Sequence, residues 1–142
     1  MEQKDTIPVI CSNLAKAAEK QQNPGMAAEY SALAEKYDDG KPSAEDLAGL
    51  KTLITEDLTV YPDLQKAAES AGDRGAQRAL RWGQKVTAIQ KSLIDRFLSK
   101  GDALLDGKGL FVCEACGFIF LGDSAPDICP VCKAPVSRFS KV

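Results

Sequence analysis

Cys113, Cys116, Cys129 and Cys132 form the pattern C-x2-C-x12-C-x2-C within FVCEACGFIFLGDSAPDICPVC, residues 111–132. A C-x-x-C turn brings two thiolates to one ion while backbone N–H groups point at the sulfurs. Two such turns face to face close a tetrahedral four-sulfur site. Gly117 follows the first pair and supplies the positive φ that such a turn wants. Lys133 follows the second pair, where that conformation is less comfortable for a side chain. By geometry alone the site suits structural zinc or redox-active iron equally, and structural zinc is the plainer reading of the spacing.

The rest of the composition limits what else the chain can do. It contains no histidine. That excludes Ser-His-Asp and Cys-His catalysis, a His-ligated zinc hydrolase site and Glu-x-x-His metal motifs. The formal net charge of −2 argues against the electrostatic footprint of a nucleic-acid-binding protein. The start, MEQKDTIPVI, has neither the basic region nor the apolar run of a signal peptide, and no later stretch approaches a membrane span. The expectation is a soluble cytoplasmic protein with no membrane or nucleic-acid partner. In that compartment paired cysteines stay reduced and serve as metal ligands.

The elements that must carry the cysteine module read as helices. Ile7, Ile10, Cys11, Leu14 and Ala18 recur at helical spacing and predict a first helix over roughly 6–21, with Cys11 as a buried small hydrophobe. Asn23-Pro24 reads as an N-cap with proline at the first helical position. It opens a second helix whose buried stripe would be Met26, Tyr30, Leu33 and Tyr37, ended by DDGKP at 38–42. Ser43 with Asp46 resembles a capping box and opens a third helix, with Leu47, Leu50, Ile54, Leu58, Tyr61 and Leu64 on its apolar face. Pro62 inside that pattern predicts a kink or break near Tyr61. Asp73 caps a fourth helix running to about Lys100, with Leu80, Val86, Ile89, Leu93, Ile94, Phe97 and Leu98 inward. Trp82-Gly83 suggests close helix packing. Arg74, Arg78, Arg81 and Lys85 form one basic face, read as solvated, with docking of an acidic redox partner as the sharper reading.

LAKAAEKQQNPGMAAEYSALAEK (14–36) aligns without gaps to LQKAAESAGDRGAQRALRWGQKV (64–86) at an offset of 50, matching at Leu14/Leu64, Ala18/Ala68, Glu19/Glu69 and Gly25/Gly75 among others. A duplicated helical hairpin folded on itself makes a four-helix bundle.

Phe111, the run C-x-x-C-G-F-I-F (113–120), Gly122, Ala125-Pro126, C-P-V-C (129–132), Pro135 and Phe139 together resemble the rubredoxin-like domain that ends rubrerythrins. The resemblance implies one iron held by Cys113, Cys116, Cys129 and Cys132, aromatic residues packed around it, and one-electron transfer. It favours iron over zinc. Phe111, Phe118 and Phe120 then read as the shell of the site rather than a stacking platform for bases.

Further upstream, residues 56–97 are similar to the second half of the ferritin-like bundle of rubrerythrins. That half carries E-x-x-E before a Tyr-Pro pair and E-x-x-H before Arg-Phe. With Glu and Glu-x-x-His on the first two helices, these residues hold a di-iron centre that reduces peroxide. Here Glu56 stands at one carboxylate position and Leu53 at its partner, while Gln90 and Leu93 replace the Glu-x-x-His pair; Tyr61-Pro62 and Arg96-Phe97 are retained. Glu29 and Glu35 are polar positions only. A di-iron centre needs several inward carboxylates and its imidazoles. The expectation is therefore an apolar interior without di-iron peroxidase activity, with Glu56 read as exposed at the bundle edge and a remnant of the site as the alternative.

These readings combine into a mainly α fold. A shortened ferritin-like, rubrerythrin-like helical bundle (1–100) leads through a linker (101–109) to a small β-rich rubredoxin-like metal ribbon (110–142). The expected function is electron transfer by an Fe(Cys)4 centre to a redox partner protein outside the chain, in redox or oxidative-stress metabolism as the family implies, with no catalytic residue. The second helix should be far shorter than the fourth, so part of the long pair would expose its stripe, and a homodimer is expected to cover it. The competing reading is an interaction protein whose ribbon is stapled by zinc and carries no electrons.

Overall fold

The computed structural model describes residues 6–41 and 44–142. Residues 1–5 lie outside the described residues, as do Pro42 of the DDGKP stop and Ser43 of the expected capping box. Four helices come first: α1 Thr6–Lys20, α2 Pro24–Tyr37, α3 Leu47–Ser70 and α4 Arg74–Lys100. A 3₁₀ turn, Gly101–Leu104, leads to β1 Gly109–Cys113 and β2 Ile119–Gly122; a second, Val136–Arg138, leads to β3 Phe139–Lys141. The strands form one antiparallel sheet in the order β2-β1-β3. Among the described residues, no helix is long and apolar enough to cross a membrane.

The helix starts follow their caps. The Asn23 side chain accepts from Met26 N–H at 3.2 Å, and Asp73 accepts from Ala76 N–H at 2.9 Å. The two interhelical turns are bonded alike at the offset of 50. Asn23 N–H and Asp73 N–H each donate to a carbonyl, Ala18 and Ala68, at 3.0 Å, and Gln22 and Gly72 both take positive φ, 58° and 65°. The repeated sequence thus encodes a repeated hairpin, closed by the C-terminal helix motif that favours a left-handed residue. For α3 the cap is Asp46, which accepts from Gly49 N–H at 2.7 Å.

In the helical layer α1 packs on α2 and on α4, and α3 packs on α4, giving the order α2-α1-α4-α3. This order corrects the burial expected of α2. Met26, Leu33 and Tyr37 are exposed at 43%, 38% and 46%, and Ala27 is the one residue of the helix that is buried. A helix at the end of the row has one neighbour, which it meets through small side chains, so most of its apolar stripe faces outward. Leu47, Leu64 and Leu98 of the longer pair are likewise exposed.

Of the kink or break expected near Tyr61, the break does not occur: α3 runs as one helix through Pro62. Ile54, Tyr61 and Ala68 are buried on both sides of the proline, so packing keeps both halves helical. Pro62 itself is exposed, where water can satisfy the carbonyl that its missing N–H leaves unbonded. Close packing at Gly83 is observed. A Cβ built there would stand 2.8 Å from Tyr61 Oη. That hydroxyl lies 3.1 Å from Thr87 Oγ1, and Thr87 in turn donates to Gly83 C=O at 2.7 Å.

The cysteine module is not a separate bead. Cys113, Cys116, Cys129 and Cys132 share one buried cluster with Ala17 of α1 and Trp82 and Val86 of α4. Gly117 sits against Val86: a Cβ built on it would make ordinary van der Waals contact with Val86 Cγ1 at 3.6 Å.

Candidate metal centre

Each C-x-x-C pair sits on a tight turn, and the two turns are built alike. Cys113 N–H donates to Phe118 C=O and Cys129 N–H to Ala134 C=O, both at 2.8 Å. Gly117 N–H returns to Cys113 C=O at 2.7 Å, and Lys133 N–H to Cys129 C=O at 2.9 Å. Closing such a turn requires a left-handed residue after the second cysteine. Gly117 has φ 83° and Lys133 has φ 64°, as the spacing predicts. The lysine adopts a conformation that costs most side chains about 1 kcal/mol or more.

The turns bring the four Sγ atoms within 4.8 Å of one another. Cys113 Sγ and Cys132 Sγ are 3.8 Å apart, and Cys116 Sγ and Cys129 Sγ 3.7 Å. Sulfurs at ~2.3 Å around a tetrahedral ion stand roughly 3.8 Å from each other, so the cage matches one such ion. A disulfide needs about 2.05 Å, and neither pair approaches it. All four residues are buried, three of them at 0% exposure.

Thiolates confined this closely repel, and the fold supplies donors against that. Phe118 N–H points to the Cys116 sulfur, Val131 and Cys132 N–H to Cys129, and Ala134 N–H to Cys132. A hydrogen bond from Cys116, with the Ala134 N–H, pushes the Cys132 thiol down to about 5 against burial. The same hydrogen bond, together with burial, pushes Cys116 up, and burial pushes Cys129 up. Burial and mutual proximity thus oppose ionising all four sulfurs at once, and a bound cation would relieve that opposition.

Around the cage the aromatic shell closes as expected. Phe111 and Phe118 are buried, and Phe118 lies 6.3 Å from Phe120 and, edge-on, 6.4 Å from Phe139. Pairing of Cys113 with Phe139 across β1 and β3 puts that ring beside the first knuckle. Toward solvent, a groove between α1, α2 and this knuckle reaches Cys113 and Cys116, and Glu35, Asp38 and Glu114 line it.

Among the described residues, these cysteines are the one group of three or more Cys, Asp or Glu side chains that converges. Glu56 is not the exposed residue expected. It is half-buried, and its Oε2 is enclosed without a hydrogen-bond partner. Leu53, Gln90 and Leu93 line a cavity of about 430 Å³ between α3 and α4, to which Val9 of α1, Ile119 of β2 and the carboxylate residue Asp57 also contribute. Cys11 is buried on α1 apart from the cage, and burial raises its thiol pKa. Arg74, Arg78, Arg81 and Lys85 are all exposed. Sequence reasoning did not assign Ala17 and Val86 to the metal module. Both occupy apolar helical positions, and nothing in a helical period says which neighbour a stripe will meet.

Comparison with known proteins agrees with this architecture. Residues 111–140 match the family model for the rubrerythrin rubredoxin-like domain. Rubrerythrin-1 of Clostridium acetobutylicum is 32% identical over 104 residues, which cover 66% of this chain and 50% of the relative. The chain thus spans about half the length of the curated relative it matches. Nigerythrin in its mixed-valence state superposes with a TM-score of 0.60 at 18% identity, covering 98% of this chain and 84% of nigerythrin. Fully reduced, all-ferrous nigerythrin gives a TM-score of 0.56 over 98% and 81%. At that identity the likeness is one of fold. The four-sulfur cage, the matched domain and the shared helical fold make this chain a metal-binding, rubrerythrin-like protein with a C-terminal rubredoxin-like domain.

Proposed function

We propose that this protein is a one-electron carrier in which Cys113, Cys116, Cys129 and Cys132 hold a single iron. The observation that carries this reading is the cage itself: sulfurs 3.7 and 3.8 Å apart, N–H donors on the sulfurs and an aromatic shell, all within the rubredoxin-like family match. Iron in four thiolates supplies reversible ferric/ferrous chemistry. The chain's own residues keep water from the sulfurs, fix their separation, and tune the potential through N–H bonds and apolar packing. Little reorganisation on gaining or losing an electron is expected of a cage built on two such rigid turns.

The helical layer supports a carrier rather than a peroxidase. Where the resembling family places carboxylates and imidazoles, Leu53, Gln90 and Leu93 line a mainly apolar cavity with Asp57 as its one carboxylate. Electrons then pass to a redox partner protein outside the chain, and the groove beside Cys113 and Cys116 offers the short route to the cage. A homodimer belongs to the same reading, covering the exposed Leu47, Leu64 and Leu98 of the long pair or the outward stripe of α2, as does a cytoplasmic location and a role in redox or oxidative-stress metabolism.

Anaerobic reconstitution with ferrous iron, followed by air oxidation, tests the proposal. A red ferric-thiolate species that bleaches with reductant and returns on reoxidation is expected, and Cys132→Ser should lose it. A colourless protein that retains one zinc and refuses iron would favour the stapled interaction module instead.

A further inference from the structure

A second cavity, of about 540 Å³, opens between the last three turns of α4, the Gly101–Leu104 turn and the edge of β2. Its size falls in the ~300–1,000 Å³ range of small-molecule sites. One wall is apolar, from Leu93 and Ile119, with Phe120 beside them. The other carries Arg96, Lys100 and Lys108, with Asp106 the one carboxylate lining it. None of the three cations makes an ion pair among the described residues. Lys100 in the last turn suits the negative end of the α4 dipole. That does not account for Arg96, a turn earlier, or for Lys108, which comes from another segment. The end of α4 and the segment that follows it therefore bring unpaired cations to one cleft whose lining also includes Phe120.

We infer that this cleft binds a mononucleotide-type ligand, with its phosphate held by Arg96, Lys100 and Lys108 and its planar ring against Phe120 and the Leu93–Ile119 wall. Guanidinium and ammonium groups recognise phosphate by charge-assisted hydrogen bonds. An aromatic face accepts any planar base or flavin ring. Phe120 packs against the buried cluster that includes the cysteines, so a ring seated there lies one side chain from the cage. The inference does not depend on which metal the cage holds.

Equilibrium dialysis of the full chain against FMN and against AMP tests it, with inorganic phosphate as competitor and both iron-loaded and zinc-loaded protein. Saturable binding of one nucleotide per chain is expected in both metal forms, and the tighter of the two probes identifies the ring class. Arg96→Gln with Lys108→Gln should weaken binding by about a hundredfold or more, the scale of two charge-assisted bonds. Phe120→Leu should also weaken it. Arg74→Gln with Arg78→Gln removes the same charge elsewhere and should bind as the parent does. Three results would overturn the inference: no saturable binding at millimolar ligand, equal loss in the two charge pairs, or phosphate alone binding as tightly as either nucleotide.

Discussion

Val86 of α4 and Gly117 of the first cysteine knuckle are neighbours in the core: a Cβ on the glycine would lie in van der Waals contact with Val86 Cγ1, at 3.6 Å. Through this contact, with Trp82 and Ala17 beside it, the metal module and the helices share one core. Val86→Ala removes two methyl groups from a residue 1% exposed. It should lower stability by about 2 kcal/mol. Chemical denaturation should show a lower midpoint with an unchanged slope, and the loss of helical signal should coincide with loss of the bound metal. Separate transitions would mean that module and helices fold independently.

The two knuckles are alike in hydrogen bonding and differ at the left-handed residue, with φ 83° at Gly117 and 64° at Lys133. Gly117→Ala should therefore destabilise by about 1–2 kcal/mol. Lys133→Gly relieves the corresponding strain and should leave stability equal or slightly higher. Thermal melts of the metal-loaded variants decide between this ordering and its reverse.

Tyr61 fills the space left by the absent side chain of Gly83, 2.8 Å from where a Cβ would stand. Gly83→Ala alone should cost about 1–3 kcal/mol through overpacking. In a Tyr61→Phe background, where the offending oxygen is gone, the same change should cost measurably less. A double-mutant cycle reads this directly; strict additivity would show that the two helices do not meet as described.

How much of this was legible in the residues follows from the range of each interaction. The cysteine knuckles and the caps at Asn23 and Asp73 are local, settled by neighbours a few positions away, and they stand where the spacing puts them. The stripe of α2 was read correctly as apolar but wrongly as buried, because periodicity describes a face and not what covers it. Pro62 was expected to kink or break α3 near Tyr61, and the helix is unbroken. That expectation weighed one lost hydrogen bond and could not include the packing of Ile54, Tyr61 and Ala68 on either side of it. Glu56 and the Val86–Gly117 contact depend on distant segments meeting, which no local pattern records.

The perturbed thiols predict a pH profile for the metal-free protein. Cys132 is depressed to about 5 from its ordinary value of 9.0. The unfolded chain binds the extra proton between those values, so stability rises with pH from 5 toward 9. Cys116 and Cys129 are raised above 9.0. The folded chain then retains protons that the unfolded one loses, and stability falls above pH 9. Urea midpoints of chelator-treated protein should pass through a maximum near the alkaline end of neutrality, and Cys132→Ser should flatten the rising limb.

Met26, Leu33 and Tyr37 line the outward face of α2. If a second copy covers them, light scattering at micromolar concentration should give a dimer, and Leu33→Lys with Tyr37→Lys should give a folded monomer. A monomeric parent protein would remove the homodimer from the account.

Counting electrons tests the central claim most directly. In an anaerobic titration of iron-reconstituted protein, the account predicts one electron per chain, tracked by loss of the ferric-thiolate absorbance and of its high-spin ferric resonance, and recovered in full on reoxidation. Uptake of no electrons would contradict the carrier, and uptake of three, with three irons per chain, would contradict the loss of a di-iron centre.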